Sequence, residues 1–269
     1  MSHPGLQRAG RRAASVIDAV SRLGFGAKGI VTLLVGVLAL RYALRKGGEI
    51  TGQEGAVESV LKEPFGRWLL AVLAAGLVAY AIWMFVAAVL DPERKGKSFQ
   101  GIAERLGFFV TGIGYTLLAF AAVKLVFGWK SGGLDLQHLL ASVLTPHVGR
   151  VLVGLAGLIV MTAGVFQLRL GITGRFRQLL RSDISGLARV VTAVSGTVGY
   201  VTLGIFSLII GWSLVEVAVE YDPSEVREWS DALWLLSSVS HGRMLLATAA
   251  LGLICYGLYF VLHVRYRRL

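Results

Sequence analysis

The chain has 269 residues, a net charge of +11, 55% hydrophobic residues and only 16% charged residues. A soluble domain carries about 25% charged residues, so this composition excludes an ordinary soluble protein and predicts a membrane protein. Its basic residues collect at the ends of apolar stretches, which is typical of topology signals, and we therefore expect no nucleic-acid partner. The single cysteine, Cys255, excludes an intrachain disulfide and a cysteine metal cluster, and we expect no metal and no cofactor.

The N-terminal segment, residues 1–22, precedes the first apolar stretch. It is basic and lacks both a continuous apolar core and a small-residue cleavage site, so we expect no cleavable signal. Within it, apolar residues recur at steps of three and four between residues 6 and 20, while arginines occupy the other face. This pattern predicts a cytoplasmic amphipathic helix that lies on the membrane surface.

Six apolar stretches follow, each long enough to cross about 30 Å of hydrocarbon as a helix. They predict an all-α, six-span transmembrane bundle. In order, the predicted spans run at about 23–44, 68–90, 106–128, 151–168, 190–215 and 244–264.

The loops inside the three successive span pairs carry apolar residues at helical spacing, at 56–61, 136–143 and 226–236. We therefore predict a short amphipathic helix in each of these outer loops, packed against the ends of the spans. The third is preceded by Asp222-Pro223, an N-cap with proline at the first helical position.

One unit is used three times. The motif Arg22-Leu23-Gly24-Phe25 recurs 83 residues later, and Gly-Arg opens the second span of every pair, at Arg67, Arg150 and Arg243. Two spans per unit insert every copy the same way up, so the repeats are parallel and an axis along the membrane normal relates them. We predict a single membrane domain, 1–269, with pseudo-threefold symmetry and repeats at 19–95, 103–177 and 189–268.

The distribution of charge predicts the orientation. Sixteen Lys and Arg residues fall on the side of the chain termini and ten on the side of the predicted loop helices. Because positive loops stay in the cytoplasm, we expect both termini to be cytoplasmic, in the plasma (inner) membrane of a bacterium.

The second span of each pair also carries an aromatic signature fourteen residues after its Gly-Arg glycine, as in Tyr80-Ala81-Ile82-Trp83 and Tyr256-Gly257-Leu258-Tyr259. With the tandem pairs and the Leu-Gly start of the first helix, this pattern resembles the bacterial membrane family called domain of unknown function 1206, over residues 19 to 265. The resemblance implies a six-span protein with three copies of the unit and no established activity. The middle copy departs from the pattern at Ala163, and the third has no Leu-Gly start.

The three arginines that follow glycine, Arg67, Arg150 and Arg243, are the sharpest polar feature. An arginine at the start of a helix opposes the helix dipole, so a fixed partner must hold it. We expect carbonyls of the loop helices, lipid headgroups, Glu58 or Glu63 to fill that role. The alternative is a ring of three cations at an outer vestibule, which would attract an anionic solute or lipid.

Polar residues inside the spans are the candidates for a cavity lining. Tyr80, Tyr115, Tyr200 and Tyr256 lie near mid-membrane, where a hydroxyl group needs a hydrogen-bond partner. Lys28 is the deepest charge, and we expect its side chain to snorkel to the cytoplasmic surface, with cavity lining as the alternative. No Asp or Glu falls at mid-depth, which argues against a coupled transporter that uses a buried carboxylate.

Two functions remain open. The first is a scaffold, a regulator or a lipid-interacting module whose partners are the bilayer and anionic lipid. The second is a passive channel or carrier for a small solute, with a cavity on the pseudo-threefold axis. A membrane enzyme is disfavoured, because no acid–base constellation occurs. If the four tyrosines face a common axial void, the transport hypothesis is favoured, whereas tyrosines that face lipid or pack within each hairpin would favour the scaffold.

Overall fold

The computed structural model describes residues 4–92, 96, 98–129, 147–179, 186–220, 229–238 and 241–266, with side chains from residue 19 onward. Every structural statement below refers to those residues. The loop helix predicted at 136–143 and the N-cap predicted at Asp222-Pro223 lie outside them.

Six long helices carry apolar segments long enough to cross a membrane, which confirms the predicted six-span, all-α membrane protein. The helix of the first span is continuous with the N-terminal segment; that this segment lies on the membrane surface stays a prediction. The spans, first to sixth, are the helices Pro4–Ala43, Gly66–Leu90, Phe99–Val126, His147–Thr173, Gly186–Glu220 and Gly242–Tyr266.

Two short helices lie in the loops at the face opposite the chain termini. We call that face the distal face and the other the terminal face. Loop helix 1 is Gln53–Ser59, and loop helix 2 is Trp229–Ser238. Each packs apolar side chains into the bundle, because Ala56 and Val57 of the first and Leu233 of the second are fully buried.

Local sequence signals set the ends of the spans. The second and sixth spans begin at the glycine of Gly-Arg, each after a residue in the left-handed region, Phe65 (φ 59°) and His241 (φ 63°). A side chain on Gly66 would overlap the backbone of the turn at Val60, so only glycine fits there. At the start of the third span, the Ser98 hydroxyl accepts a hydrogen bond from the Gly101 amide at 3.2 Å.

The spans form a ring in which each repeat packs on the next. The second span packs extensively on the third, the fourth on the fifth, and the sixth on the first. These three interfaces join successive repeats and close the chain on itself with pseudo-threefold symmetry. Inside a repeat the two spans also pack closely in the first and third copies, but only sparsely in the middle copy.

Glycine lets the backbones of neighbouring spans touch. An ideal Cβ on Gly157 would lie 2.8 Å from the Gly211 carbonyl oxygen, where the fourth span meets the fifth. Another on Gly29 would lie 2.9 Å from the Gly257 carbonyl oxygen, where the first meets the sixth. Lipid supplies no hydrophobic drive between helices, so contact of this kind is what stabilises the ring.

Candidate functional site

The first span points Lys28 into the bundle. Leu23, Ile30 and Val37 follow one another at seven-residue steps and are exposed, so they mark the face toward lipid. At about 100° per residue, Lys28 lies on the opposite face of the helix. The buried residues Val35 and Ala39 share that face with it.

Aromatic side chains surround the Lys28 ammonium. Its Nζ donates a hydrogen bond to the Tyr80 hydroxyl at 2.9 Å. The same Nζ lies 5.0 Å from the ring centroid of Tyr80, 5.7 Å from that of Tyr115, 5.5 Å from that of Tyr256 and 4.5 Å from that of Phe260. These are cation–π distances, and the expectation that Lys28 snorkels to the membrane surface is wrong. The aromatic rings offer the ammonium a better site than the end of the span does.

The structure brings all five candidate cavity residues together. The Tyr80 and Tyr115 rings meet edge to face at 4.5 Å across the boundary between the first and second repeats. Tyr200 meets Tyr256 in the same way at 5.4 Å within the third repeat. We call Lys28, Tyr80, Tyr115, Tyr200, Tyr256 and Phe260 the Lys28 cluster. Five of the six spans and all three repeats contribute to it.

Phe260 is the member that the sequence reasoning missed. It lies one helical turn after Tyr256 on the same face, and its ring contacts that of Tyr256 at 4.8 Å. The four-residue spacing from Tyr256 was the sequence signal that could have identified Phe260. The fourth span contributes no ring, because Ala163 stands at the position of Tyr80 and Tyr256.

The cluster is not packed solid. Lys28 and Tyr200 are only half-buried, although every other tyrosine of the cluster is buried. Since Lys28 points away from the lipid-facing side of its helix, its remaining accessible surface faces the interior of the bundle.

The cluster is closed toward the terminal face by Phe176. This fully buried side chain comes from the turn Arg175–Leu179 between the fourth and fifth spans. Its ring contacts those of Tyr200 and Tyr259, each at 5.4 Å. Gly196 makes room for it, because a Cβ there would overlap the ring.

The distal side is closed by loop helix 1. Val57 packs in the same apolar core as Tyr80 and Tyr115. At the start of the helix, the side chain of Gln53 lies near that of Tyr115. Packing therefore continues from the Lys28 cluster to Phe176 on the terminal side and to loop helix 1 on the distal side.

The arginines of the Gly-Arg motifs hold successive repeats together at the distal face. Arg150 donates hydrogen bonds to the carbonyls of Ala218 and Val219, at the end of the fifth span. Arg243 donates to the carbonyl of Ala43, at the end of the first span, at 3.2 Å. Arg67 reaches the end of the third span, where its Nη2 approaches the position of a Cβ on Gly128.

These contacts explain why arginine tolerates the start of a helix. The last carbonyls of a helix lack intrahelical partners and form its negative end. In an antiparallel pair that end lies beside the start of the neighbouring span, so the neighbour's dipole offsets the unfavourable one. Span-end carbonyls, which the sequence reasoning did not name, are thus among the partners of Arg150 and Arg243. The three arginines lie at three different span pairs.

Arginines also bind main-chain carbonyls of a neighbouring span at the terminal face. Arg105, at the start of the third span, donates to the carbonyls of Ala88 and Val89 at 2.7 and 2.9 Å. Arg22 donates to the carbonyl of Val264 at 3.2 Å, across the junction of the first and sixth spans. Arginines therefore join the repeats at both faces of the ring.

Comparison with known proteins agrees with this architecture. The model of a family described as Domain of Unknown Function (DUF1206) matches three tandem regions, 23–91, 106–174 and 198–267. The chain belongs to this family. The relatives of this DUF1206 protein include an uncharacterized protein, YxxB, of Bacillus subtilis (strain 168), which is 33% identical over 254 residues, 94% of this chain and 92% of the relative. No solved structure matches the chain.

Proposed function

We propose that this protein is a passive carrier for a small solute, with its binding site at the Lys28 cluster. It would reside in the plasma membrane of a bacterium with both termini in the cytoplasm, as the excess of basic residues on the terminal face favours. The observation that carries the proposal is the convergence of Lys28 with tyrosines from three repeats in the interior of the ring.

The free-energy cost of burying a charge supports a functional role for Lys28 and the tyrosines around it. A charged group inside a membrane protein is expensive, and such groups commonly mark a substrate or ion pathway. Solute sites in transporters built from repeats lie near the bilayer midplane where the repeats meet. The Lys28 cluster joins side chains of all three repeats, and Lys28 and Tyr200 within it are not fully buried.

The closures on both faces favour a carrier over an open channel. Phe176 packs on the terminal side of the cluster and loop helix 1 on its distal side, and in this proposal they separate the cluster from the two membrane surfaces. A solute could then reach Lys28 only when one closure moves. Movement of a short loop helix or a short turn requires less rearrangement than movement of a span.

Solute flux into liposomes that contain the purified protein tests the proposal. We expect the wild type to move at least one small solute faster than protein-free liposomes do, and Lys28→Met to abolish that flux. Lys124→Met is the matched control, because Lys124 lies near the distal end of the third span, with its Nζ 5.7 Å from the Phe120 ring. Equal flux with and without protein, over anions, cations and neutral solutes, would refute the carrier.

A scaffold or lipid-interacting module is the second candidate. It is favoured by the arginine contacts that join the repeats at both faces and by the basic terminal face, which suits anionic lipid. Co-purification of phosphatidylglycerol from mixed-lipid membranes, together with absent flux, would favour this reading. Replacement of two exposed arginines of the terminal-face turn, Arg175 and Arg177, by alanine should then reduce the amount of bound lipid.

A further inference from the structure

We propose that the solute bound at the Lys28 cluster is a small monovalent anion, such as a halide, nitrate or short carboxylate. This inference rests on the proposed carrier function and adds the chemical class of its substrate. Three observations carry it: the occupied aromatic cage, the missing counter-ion and the donors that remain.

The aromatic cage is already filled by a cation. Rings of Tyr80, Tyr115, Tyr256 and Phe260 around a positive charge form the arrangement that recognises ammonium ligands. Here the ammonium belongs to the chain itself. A second cation that entered the cluster would meet the charge of Lys28 at short range, so the cage excludes a cationic solute.

Lys28 has no anionic partner within the described part of the chain. Its hydrogen-bond partner is a neutral phenol, Tyr80, and its other neighbours are neutral rings. Lys62 forms a salt bridge with Glu49 in the distal loop, at 3.3 Å. A cation without a counter-ion in a membrane interior is stabilised strongly by an anion that enters beside it.

The remaining donors suit a small anion. An ammonium group has three N–H donors, and Tyr80 accepts one of them, which leaves two that a solute can use. Because four rings already surround the ammonium group, we expect an ion of a few atoms beside it and not a large organic acid.

Binding is tested first, on the full chain in a neutral detergent without added lipid. We expect sodium chloride, nitrate or formate to raise Tm of the wild type at constant ionic strength, against sodium sulfate as the divalent reference. Lys28→Met should weaken the apparent affinity about tenfold or more, because it removes a charge-assisted hydrogen bond. Lys124→Met should keep the wild-type response. An anion response that persists in Lys28→Met overturns the proposal.

Anionic lipid offers the same chemistry from another source. Phosphatidylglycerol added to the neutral detergent should leave the Lys28-dependent shift unchanged, because a free ion and not a headgroup occupies the enclosed space. If phosphatidylglycerol alone produces the Lys28-dependent shift, and free anions do not, the inference is wrong.

Flux then separates this inference from the carrier itself. Wild-type liposomes should pass nitrate or formate faster than glycerol, potassium or choline, and Lys28→Met should lose the anion flux. Flux of glycerol or a cation without anion flux would overturn the anion inference and leave the carrier standing. Lys28-dependent anion binding with no flux of any solute would support the anion site and refute the carrier.

Discussion

The close contact between the first and second spans gives the sharpest test of the packing. An ideal Cβ on Gly24 would lie 2.6 Å from both the N and the Cα of Tyr80. Ordinary carbon contacts need about 3.5–4.0 Å, so Gly24→Ala must push the two backbones apart by about 1 Å. Overpacking of this kind costs about 1–3 kcal/mol, and the gain in helix propensity returns up to about 1 kcal/mol. With the propensity gain subtracted in full, the net expectation is a destabilisation of up to about 2 kcal/mol.

The repeat supplies a matched control. Gly107 is the equivalent of Gly24 in the middle copy, and a Cβ there meets nothing within 4 Å. Gly107→Ala should therefore leave Tm unchanged or raise it, whereas Gly24→Ala should lower it by several degrees in the same detergent. Circular dichroism melting at 222 nm measures both. Equal effects of the two substitutions, or a loss confined to Gly107→Ala, would refute the reasoning, because the two sites differ in the structure only by what faces them.

Three further outcomes are expected. Arg150→Ala should lower Tm in detergent more than Arg150→Lys does. Lysine keeps a positive charge near the two carbonyls at the end of the fifth span but lacks the forked donors of the guanidinium group. An equal fall in Tm for both variants would contradict the contact with two carbonyls. Phe176→Ala should destabilise the protein by about 3–5 kcal/mol, since it empties a fully buried site. It should also increase the leak of solutes through liposomes that contain the protein. No increase in leak would contradict the proposal that Phe176 closes the cluster. A cysteine placed at Ser2 in a Cys255→Ser background should react with an impermeant maleimide only after the cells are opened, and labelling of intact cells would reverse the predicted orientation.

Much of the fold follows from the sequence for simple reasons. Each span is a long apolar run, and lipid leaves the helix as the one way to satisfy its backbone. The constant offset between Gly66-Arg67 and Gly149-Arg150 marks the repeat, because both glycines open equivalent helices. The mid-depth tyrosines were identifiable as one group, since four buried hydroxyl groups at similar depth need partners.

The direction of Lys28 was harder to predict. Its helix is apolar on every side, so hydropathy alone does not distinguish the face toward lipid from the face toward the ring. The seven-residue series Leu23, Ile30 and Val37 marks the lipid side only once the packing is known. Snorkelling is the usual fate of a lysine near the end of a span, and four rings from three other helices override it here.

The sequence does not show which groups accept hydrogen bonds from the arginines. Arg150 and Arg243 bind main-chain carbonyls, which every residue carries, so no side chain marks the recipient. The looseness of the middle repeat was equally hidden. Ala163 in place of a tyrosine was visible, but its consequence, a fourth span without a ring in the cluster, needs the three-dimensional arrangement.

The most direct test of the account observes Lys28 itself. The chain has seven lysines, and the Nζ of Lys28 lies near four ring centroids. In protein labelled with ¹³C at the lysine ε-methylene and held in nanodiscs, ring currents should shift one ε-methylene signal clearly upfield of the others. That signal should vanish in Lys28→Arg and show through-space contacts to tyrosine ring protons. Seven signals at the position of exposed lysines would contradict the enclosed lysine and, with it, the binding site.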